Sequence, residues 1–315
     1  MRRPHELYNT YSIVARDAAT GQFGVAVQTH QVAVGKRIIL TLPGYGALIT
    51  QSFSNLNFVV QAEPMLRLGM KAPDILRSLI ASDIGEARRQ VGIVDMHGVA
   101  AAHTGALCIR EASHHIGEGY TVQANMMTKS TVIESMKHAY ESTTGDFAAR
   151  LIAVMQAAQG EDGDIRGMQS SALRIVSGDK TSYERDTIYD VRVDEHALPL
   201  HELDRLVTIR RAKLVDELGD EALKRGDTDG AMALWQQARN MAPDQEELGF
   251  WQGYTLADHG HVQDGAKILW DAVGKDSRAA HWVDLIGRLQ ECQFPTRAET
   301  TTELLTALEA LRAAN

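Results

Sequence analysis

Apolar positions along the first 210 residues switch between short β-type runs and helical spacing. Residues 10–16 (TYSIVAR), 23–29 (FGVAVQT), 36–42 (KRIILTL) and 46–53 (GALITQSF) are rich in β-branched and aromatic side chains. Gly-bearing turns separate them, so each predicts a strand. Asp17 to Gly21 reads as a tight hairpin connection, and Gly44-Tyr45-Gly46 after Pro43 as a second turn. From Asn57 to Ser82 the spacing of Val60, Met65 and Leu68, then Ile75, Leu76, Leu79 and Ile80, predicts two amphipathic helices split by Gly69 to Pro73. RQVGIVDMHGVAAAHTG (89–105) predicts a strand, a turn at His97-Gly98 and a strand, and 119–127 a further extended segment. Helices are expected at about 130–142 and 146–158, divided at Thr144-Gly145, and strands at 170–177 and 187–194. Groups of strands separated by pairs of helices predict an α+β fold, sheets covered by helices in layers. A doubly wound sheet would alternate strand and helix singly.

After about Arg210 the strand pattern stops and the chain becomes helical and repetitive. Residues 217–238 echo 251–273: Gly219 and Gly253 stand 34 apart, as do Ala222/Leu256 and Gly226/Gly260. The following helix is offset by 35, at Ala231/Ala266, Leu234/Leu269 and Trp235/Trp270. A period near 34 with small residues at helix crossings is the tetratricopeptide pattern; a generic helical bundle is the alternative. Two repeats leave an open hydrophobic end, which helices at 279–290 and 297–313 would cap or pack on the first domain. Trp235, Trp251 and Trp270 fit inter-helix packing, or else a concave groove for a partner protein. The expected division is 1–9 as extension or propeptide, 10–210 as the α+β domain and 211–315 as the helical domain.

Charge narrows the partners. The formal net charge is −9, and residues 211–315 carry 18 acidic against 11 basic side chains, residues 1–210 23 against 21. Nucleic acid is not an expected partner of such a surface. No run of about 18 uncharged apolar residues exists, so no membrane span is expected. The start, MRRPHELYNTYSIVARD, lacks the apolar core of a secretory signal. Cys108 and Cys292 are too few and too distant for a disulfide framework or a paired-cysteine metal site, so a reduced, cytoplasmic protein is the expectation. The common nucleotide, zincin and serine-hydrolase motifs are absent. His114-His115 and His259/His261 lack a carboxylate or cysteine at ligand spacing, so neither metal nor organic cofactor is expected.

TYSIVARD at 10–17, RQVGIVD at 89–95 and GDIRGMQSSAL at 163–173, in this order and spacing, carry a resemblance. GVAVQTH, VGKRIIL, GALITQSF, AAHTGALC and VQANMM continue it, so that it spans about residues 10–210. The chain resembles an uncharacterised bacterial family placed in the N-terminal nucleophile (Ntn) hydrolase superfamily. The resemblance implies a four-layer αββα sandwich. It also implies a first-residue Thr, Ser or Cys that attacks an amide carbonyl while its own α-amine takes the proton. An α-amine with an ordinary pKa near 7.7–8.0 suits a base at neutral pH.

Within that resemblance the nucleophile is Thr10, and relatives commonly begin Met-Thr. Here MRRPHELYN precedes it. Autocatalytic cleavage of the Asn9–Thr10 bond would expose it. A start annotated too early has no methionine between Met1 and Met65 to replace it. A retained extension would leave the fold catalytically silent. Threading the proteasome-like branch from Thr10 brings Lys36 to the place of a lysine that eases deprotonation, and the Gln51–Ser52 peptide to the oxyanion place. Its acidic residue falls near Gln28-Thr29, which is not acidic, and Lys36 reads equally as a solvated strand-end charge. Asn125 is a candidate donor to an oxyanion or substrate, or a turn amide. Asp164 and Arg166 are candidate substrate ligands as an ion pair, or loop structure around Gly163 and Gly167. Gln169 and His103 complete the candidate substrate-binding set, His103 having an equal reading as a structural group. Cys108 reads as a small buried side chain.

Two functions follow. One is an Ntn-type amidohydrolase acting on a small amide or short peptide-like substrate, its tail mediating homo-oligomerisation or recruiting a partner protein. The other is a non-catalytic scaffold whose helical repeats bind protein.

Overall fold

The structure, a computed structural model, describes residues 7–8, 10–180, 187–274 and 277–314. Residues 1–6 and 9 of the N-terminal extension lie outside the described residues. The chain divides into two compact units, Met1–Val207 and Thr208–Asn315.

Two antiparallel sheets make the centre of the first unit, their strands numbered in chain order. One holds β1 (Leu7–Tyr8), β4 (Ile39–Leu42), β5 (Gly46–Phe53), β6 (Arg89–Asp95) and β7 (Ala100–Thr104). β5 pairs with β6, and β6 with β7; β4 and β1 share the remaining edge of β5, β4 against its start and β1 against its end. The other sheet holds β2 (Thr10–Arg16), β3 (Phe23–Thr29), β8 (Ser113–Gly117), β9 (Tyr120–Ala124), β10 (Ser170–Val176) and β11 (Thr187–Val193). Its order is β11-β10-β3-β2-β9-β8. The β2–β3 turn is tight because Asp17 accepts hydrogen bonds from the backbone and hydroxyl of Thr20, and Gly21 takes φ 73°.

Both faces of β2, β3 and β5 are covered, which is why their sequences are nearly continuous apolar runs. Val14, Val25, Val27, Ala47, Ile49 and Val94 meet between the sheets. On the far side of the first sheet, Phe58 and Leu66 of α1 (Asn57–Arg67) and Ile75 and Leu79 of α2 (Ala72–Ala81) pack on Leu48, Val91 and Ile93. On the second, α3 (Val132–Ser142) and α4 (Phe147–Gly160) lie against β9 and β3. α4 comes so close that a Cβ on Gly24 would stand 2.6 Å from Leu151 Cδ1. Each fully buried Val, Leu, Ile or Phe side chain contributes roughly 1.5–3 kcal/mol.

Two elements differ from the sequence expectation. The strand expected at 36–42 begins only at Ile39, because Ala33 turns left-handed (φ 57°) and Val34–Lys36 form a 3-10 turn. Gly35 in that turn lies flat on Ala172, where a Cβ would approach to 2.5 Å. The extended segment expected at 119–127 is preceded by β8, a polar edge strand (SHHIG) that apolar alternation does not reveal.

The second unit is entirely helical among its described residues. The end of α5 (Pro199–Lys224) is followed by α6 (Thr228–Met241), α7 (Glu246–Asp258), α8 (Val262–Val273), α9 (Ala279–Glu291) and α10 (Thr300–Ala314). Most of the repeated helix positions are core, whereas Gly226 and Gly260 are exposed turn glycines with φ of 81° and 91°. Ala222, Ala231, Trp235 and Leu256 form one cluster with Ile268, while Ala266 and Leu269 join Ile286 and Leu304 in another. Trp235 is fully buried, and Trp251 and Trp270 are half-buried against the second cluster. α10 starts at Thr300 rather than 297 because Arg297 is drawn onto α7, donating to the Ala257 and Asp258 carbonyls. No helix among the described residues is long and apolar enough to cross a membrane.

Candidate active site

Strand alternation assigns the faces. Tyr11 donates to Gln159 on α4, so its neighbours Thr10 and Ser12 face the other way, between the sheets. Thr10 stands directly opposite Thr29, and Thr29 opposite Ser170, so three hydroxyl residues cross the second sheet at one end and on one face. All three are fully buried. Among the described residues the Thr10 hydroxyl has no hydrogen-bond partner.

The Thr10 carbonyl is held from three directions. Gln51 Nε2 donates to it at 3.1 Å, the backbone N–H of Asn125 at 3.1 Å and Asn125 Nδ2 at 3.4 Å. Behind these lies a wholly buried amide network. Gln90 Oε1 accepts from Gln51 Nε2 (2.7 Å) and Asn125 Nδ2 (2.8 Å), while Gln90 Nε2 donates to Thr104 Oγ1, Ala124 O and Ser113 O. Ser12 Oγ donates to Gln51 Oε1 (2.6 Å), and Gln123 Nε2 donates to Ser12 Oγ (2.6 Å). Such a network fixes amide orientations, since turning any one would set donor against donor. Asn125 Oδ1 alone of these amide atoms is buried without a partner among the described residues.

The network reaches a surface pocket of roughly 520 Å³ through Thr104, whose hydroxyl bonds His114 Nδ1 at 2.8 Å. Cys108 lines the same pocket. Burial pushes its thiol pKa up, and burial, with His103 and His115 near, pushes that of His114 down. A neutral thiol beside a neutral imidazole is not an activated nucleophile pair.

The sequence-derived candidates fall into groups. Thr10, Gln51 and Asn125 are joined directly. Ser52 follows Gln51 with a left-handed φ of 66° and is fully buried, opposite Arg89 of β6. A non-glycine residue held there costs about 1 kcal/mol or more and marks a position the surroundings over-determine. Asp164 and Arg166 form a close ion pair (2.7 Å), and Asp164 also accepts from the His30 N–H beside Thr29. Burial, then Asp164, raises the Tyr11 phenol pKa well above its ordinary value. Gln169 engages through its backbone, its N–H donating to Thr29 O and its carbonyl accepting from His196.

Lys36, the Gln28-Thr29 pair and His103 remain to be placed. Lys36 ends the 3-10 turn, exposed, and no hydrogen bond or ion pair joins it to Thr10 among the described residues. Of Gln28-Thr29, Thr29 shares the Thr10 face, while Gln28 lies opposite Tyr11, on the α4 side, with both amide atoms buried and, among the described residues, unpartnered. His103 pairs opposite Val91 on the α2 side of its sheet and bonds the Glu86 carbonyl, away from the network; its strand neighbour Thr104 is the participant. Ser12, Gln90, Gln123 and Thr104 are not singled out by the sequence reading, and His114 enters it only as half of a dismissed metal-ligand pair. Their signal was a polar side chain in register with apolar inward positions, as Gln90 is with Val94 in RQVGIVD. Among the described residues no group of three His, Cys, Asp or Glu is placed to hold a metal ion.

The family of unknown function DUF1028 matches residues 10–203, a span that begins at Thr10. The crystal structure of protein SPO2555 from Silicibacter pomeroyi, described with the same family, is similar at 26% identity and a TM-score of 0.57. The similarity covers 63% of this chain and 87% of that one. No curated protein matches. With the family match covering well over half of its length, the chain belongs to DUF1028, a family of unknown function.

Proposed function

We propose that the first unit is an Ntn-hydrolase-like αββα sandwich and an amidohydrolase precursor, with Thr10 as nucleophile once residues 1–9 are removed. Helices on the outer faces of two sheets that share an apolar core support the layering. The observation that carries the chemistry is the pair of unpartnered buried atoms at the end of β2, Thr10 Oγ1 and Asn125 Oδ1. In a strand the N–H and C=O of one residue point the same way. The Thr10 carbonyl faces Asn125, so its nitrogen does too. After cleavage that nitrogen would be an amine whose hydrogens find Asn125 Oδ1, leaving its lone pair for the adjacent hydroxyl.

The reaction is then self-contained. Thr10 Oγ adds to the substrate amide carbon as its proton passes to the α-amine, and the N–H of the Gln51–Ser52 peptide stabilises the oxyanion. The C–N bond breaks, the leaving amine takes the proton, and water, deprotonated by the same α-amine, hydrolyses the acyl ester. Precursor cleavage is the same attack turned on the Asn9 carbonyl. The helical unit, with its two-helix period, is a tetratricopeptide-like module for a partner protein or a second copy of the chain.

A second reading rests on one observation. Leu7–Tyr8 pair with Phe53 and Ser52, and Thr10 is fully covered, as in a scaffold that keeps its extension and never turns over. Substitution separates the two. Under the enzyme reading Thr10→Ser still releases residues 1–9 and Thr10→Ala does not; a scaffold carries the extension in all three proteins.

A further inference from the structure

β5 has one edge on β6 throughout, but its other edge is divided. β4 occupies it over Gly46–Ile49, and the Thr50 N–H is taken by the Ile38 carbonyl at 3.0 Å. The last stretch, Gln51–Phe53, has only β1 as a strand partner on this edge among the described residues, with Leu7 opposite Phe53 and Tyr8 opposite Ser52, while the Phe53 carbonyl also accepts from Arg89 Nη1. One residue, Asn9, then separates Tyr8 from Thr10. If residues 1–9 leave, this edge is left with unmet backbone donors and acceptors, which is the surface an added strand recognises.

From this pairing we infer that the acyl side of the substrate is an extended peptide that replaces β1 on Gln51–Phe53, so that the enzyme is a peptide hydrolase with a requirement for at least three acyl-side residues. The inference rests on the hydrolase reading and selects peptides from the amides that reading allows. The register sets the length. A residue standing where Asn9 stands brings its carbonyl to Thr10; the residue before it stands opposite Ser52, whose carbonyl takes its N–H while the Ser52 N–H stays with the oxyanion, and the one before that stands opposite Phe53. Recognition through backbone groups tolerates varied side chains and discriminates by length. The bond broken is the amide after the third residue, water giving OH to the acyl group and H to the leaving amine. The extension itself, ending Leu-Tyr-Asn, is the first such peptide.

The test uses the chain with Thr10 first, released from a cleavable N-terminal fusion, and N-acetylated Asn, Tyr-Asn and Leu-Tyr-Asn carrying a coumarin amide. Turnover should rise at least tenfold from Asn to Leu-Tyr-Asn. In an antiparallel pair alternate backbone nitrogens face the partner strand, so N-methylating either Tyr or Leu, but not both, should lose tenfold or more. Equal turnover of all three lengths, or indifference to both methylations, overturns the inference. Hydrogen exchange over residues 50–54 supplies a readout that needs no catalysis. Those amides should be protected in the full chain, open in the chain starting at Thr10, and protected again by acetyl-Leu-Tyr-Asn-amide. Restored protection without turnover keeps the edge as a peptide site and refutes the hydrolase. Turnover of other amides with no restored protection refutes the edge alone.

Discussion

Replacing Gln90 by Leu removes the amide that ties the Thr10 carbonyl holders to the pocket beside His114. Gln90 is fully buried and touches five polar partners. Leucine fills similar volume, so the cavity penalty is small. What changes is that Gln51 Nε2 and Asn125 Nδ2 each lose a good acceptor, at 2.7 and 2.8 Å; Gln51 Nε2 retains only longer contacts to Thr10 O and Gln123 O, and Asn125 Nδ2 only the one to Thr10 O. A buried group left unsatisfied costs about 1–3 kcal/mol. Two half-satisfied amides therefore imply about 3 kcal/mol, or roughly a hundredfold increase in the opening equilibrium of β5 and β9. All four tryptophans, at 235, 251, 270 and 282, lie in the helical unit, so their fluorescence does not report this change. Hydrogen exchange of peptides from β5, β6 and β9 does, measured in the Thr10→Ala background so that processing is constant. Gln90→Glu adds a pH test. Its second oxygen would face three acceptors, so the neutral acid is favoured, its folded pKa rises, and the destabilisation grows as pH climbs above about 4.3. An effect of Gln90→Leu below 1 kcal/mol, or a Gln90→Glu protein no less stable at pH 7 than at pH 4, would refute the claim that this network holds the Thr10 carbonyl.

Other substitutions probe the frame of the site and the helical unit. Gly92→Ala puts a Cβ 2.3 Å from Gln123 Oε1, and displacing that amide from Ser12 should cost about 1–3 kcal/mol in urea unfolding followed by circular dichroism. Trp235, buried against Gly219 where a Cβ would lie 2.4 Å from its Cδ1, should cost about 3–5 kcal/mol when replaced by Ala; tryptophan fluorescence follows that unit, and a loss below 1 kcal/mol would mean the two helices do not pack as described. Burial raises the Asp216 carboxyl to about 6, opposed by the hydrogen bond from Gln252. The folded state therefore binds this proton more tightly than the unfolded chain, and its contribution is present below the ordinary value of 3.8 and lost as pH rises through about 6. Asp216→Asn should stabilise the unit by about 1 kcal/mol at pH 7.5, after allowance for solvent screening of a half-buried group, and by much less at pH 4; equal effects at both pH values would contradict the assignment.

Much of the frame is written in local chemistry. Strands at 10–16, 23–29 and 46–53 combine β-branched residues with Gly-bearing turns, and these bounds match the structure. The division of helices at Gly69–Pro73 and the 34-residue echo are equally local signals. Lys36 was placed on a strand by its apolar successors, whereas the backbone there is decided by how Gly35 meets Ala172 from a strand far along the chain. β8 escaped because an edge strand need not alternate. The polar network is the least legible part: Gln51 comes from threading, but Gln90 becomes its partner only through the β5–β6 register, and Gln123 only when the two sheets face one another. A glutamine on an otherwise inward apolar face is the local trace of that arrangement.

The central claim is that Thr10 becomes the first residue. The most direct measurement is the intact mass of the purified full-length protein, with N-terminal sequencing, beside the Thr10→Ala variant. The account predicts a wild-type chain beginning at Thr10 and a variant that still carries MRRPHELYN. Wild-type protein that retains those nine residues, with its α-amine locked in the peptide bond to Asn9, would contradict it.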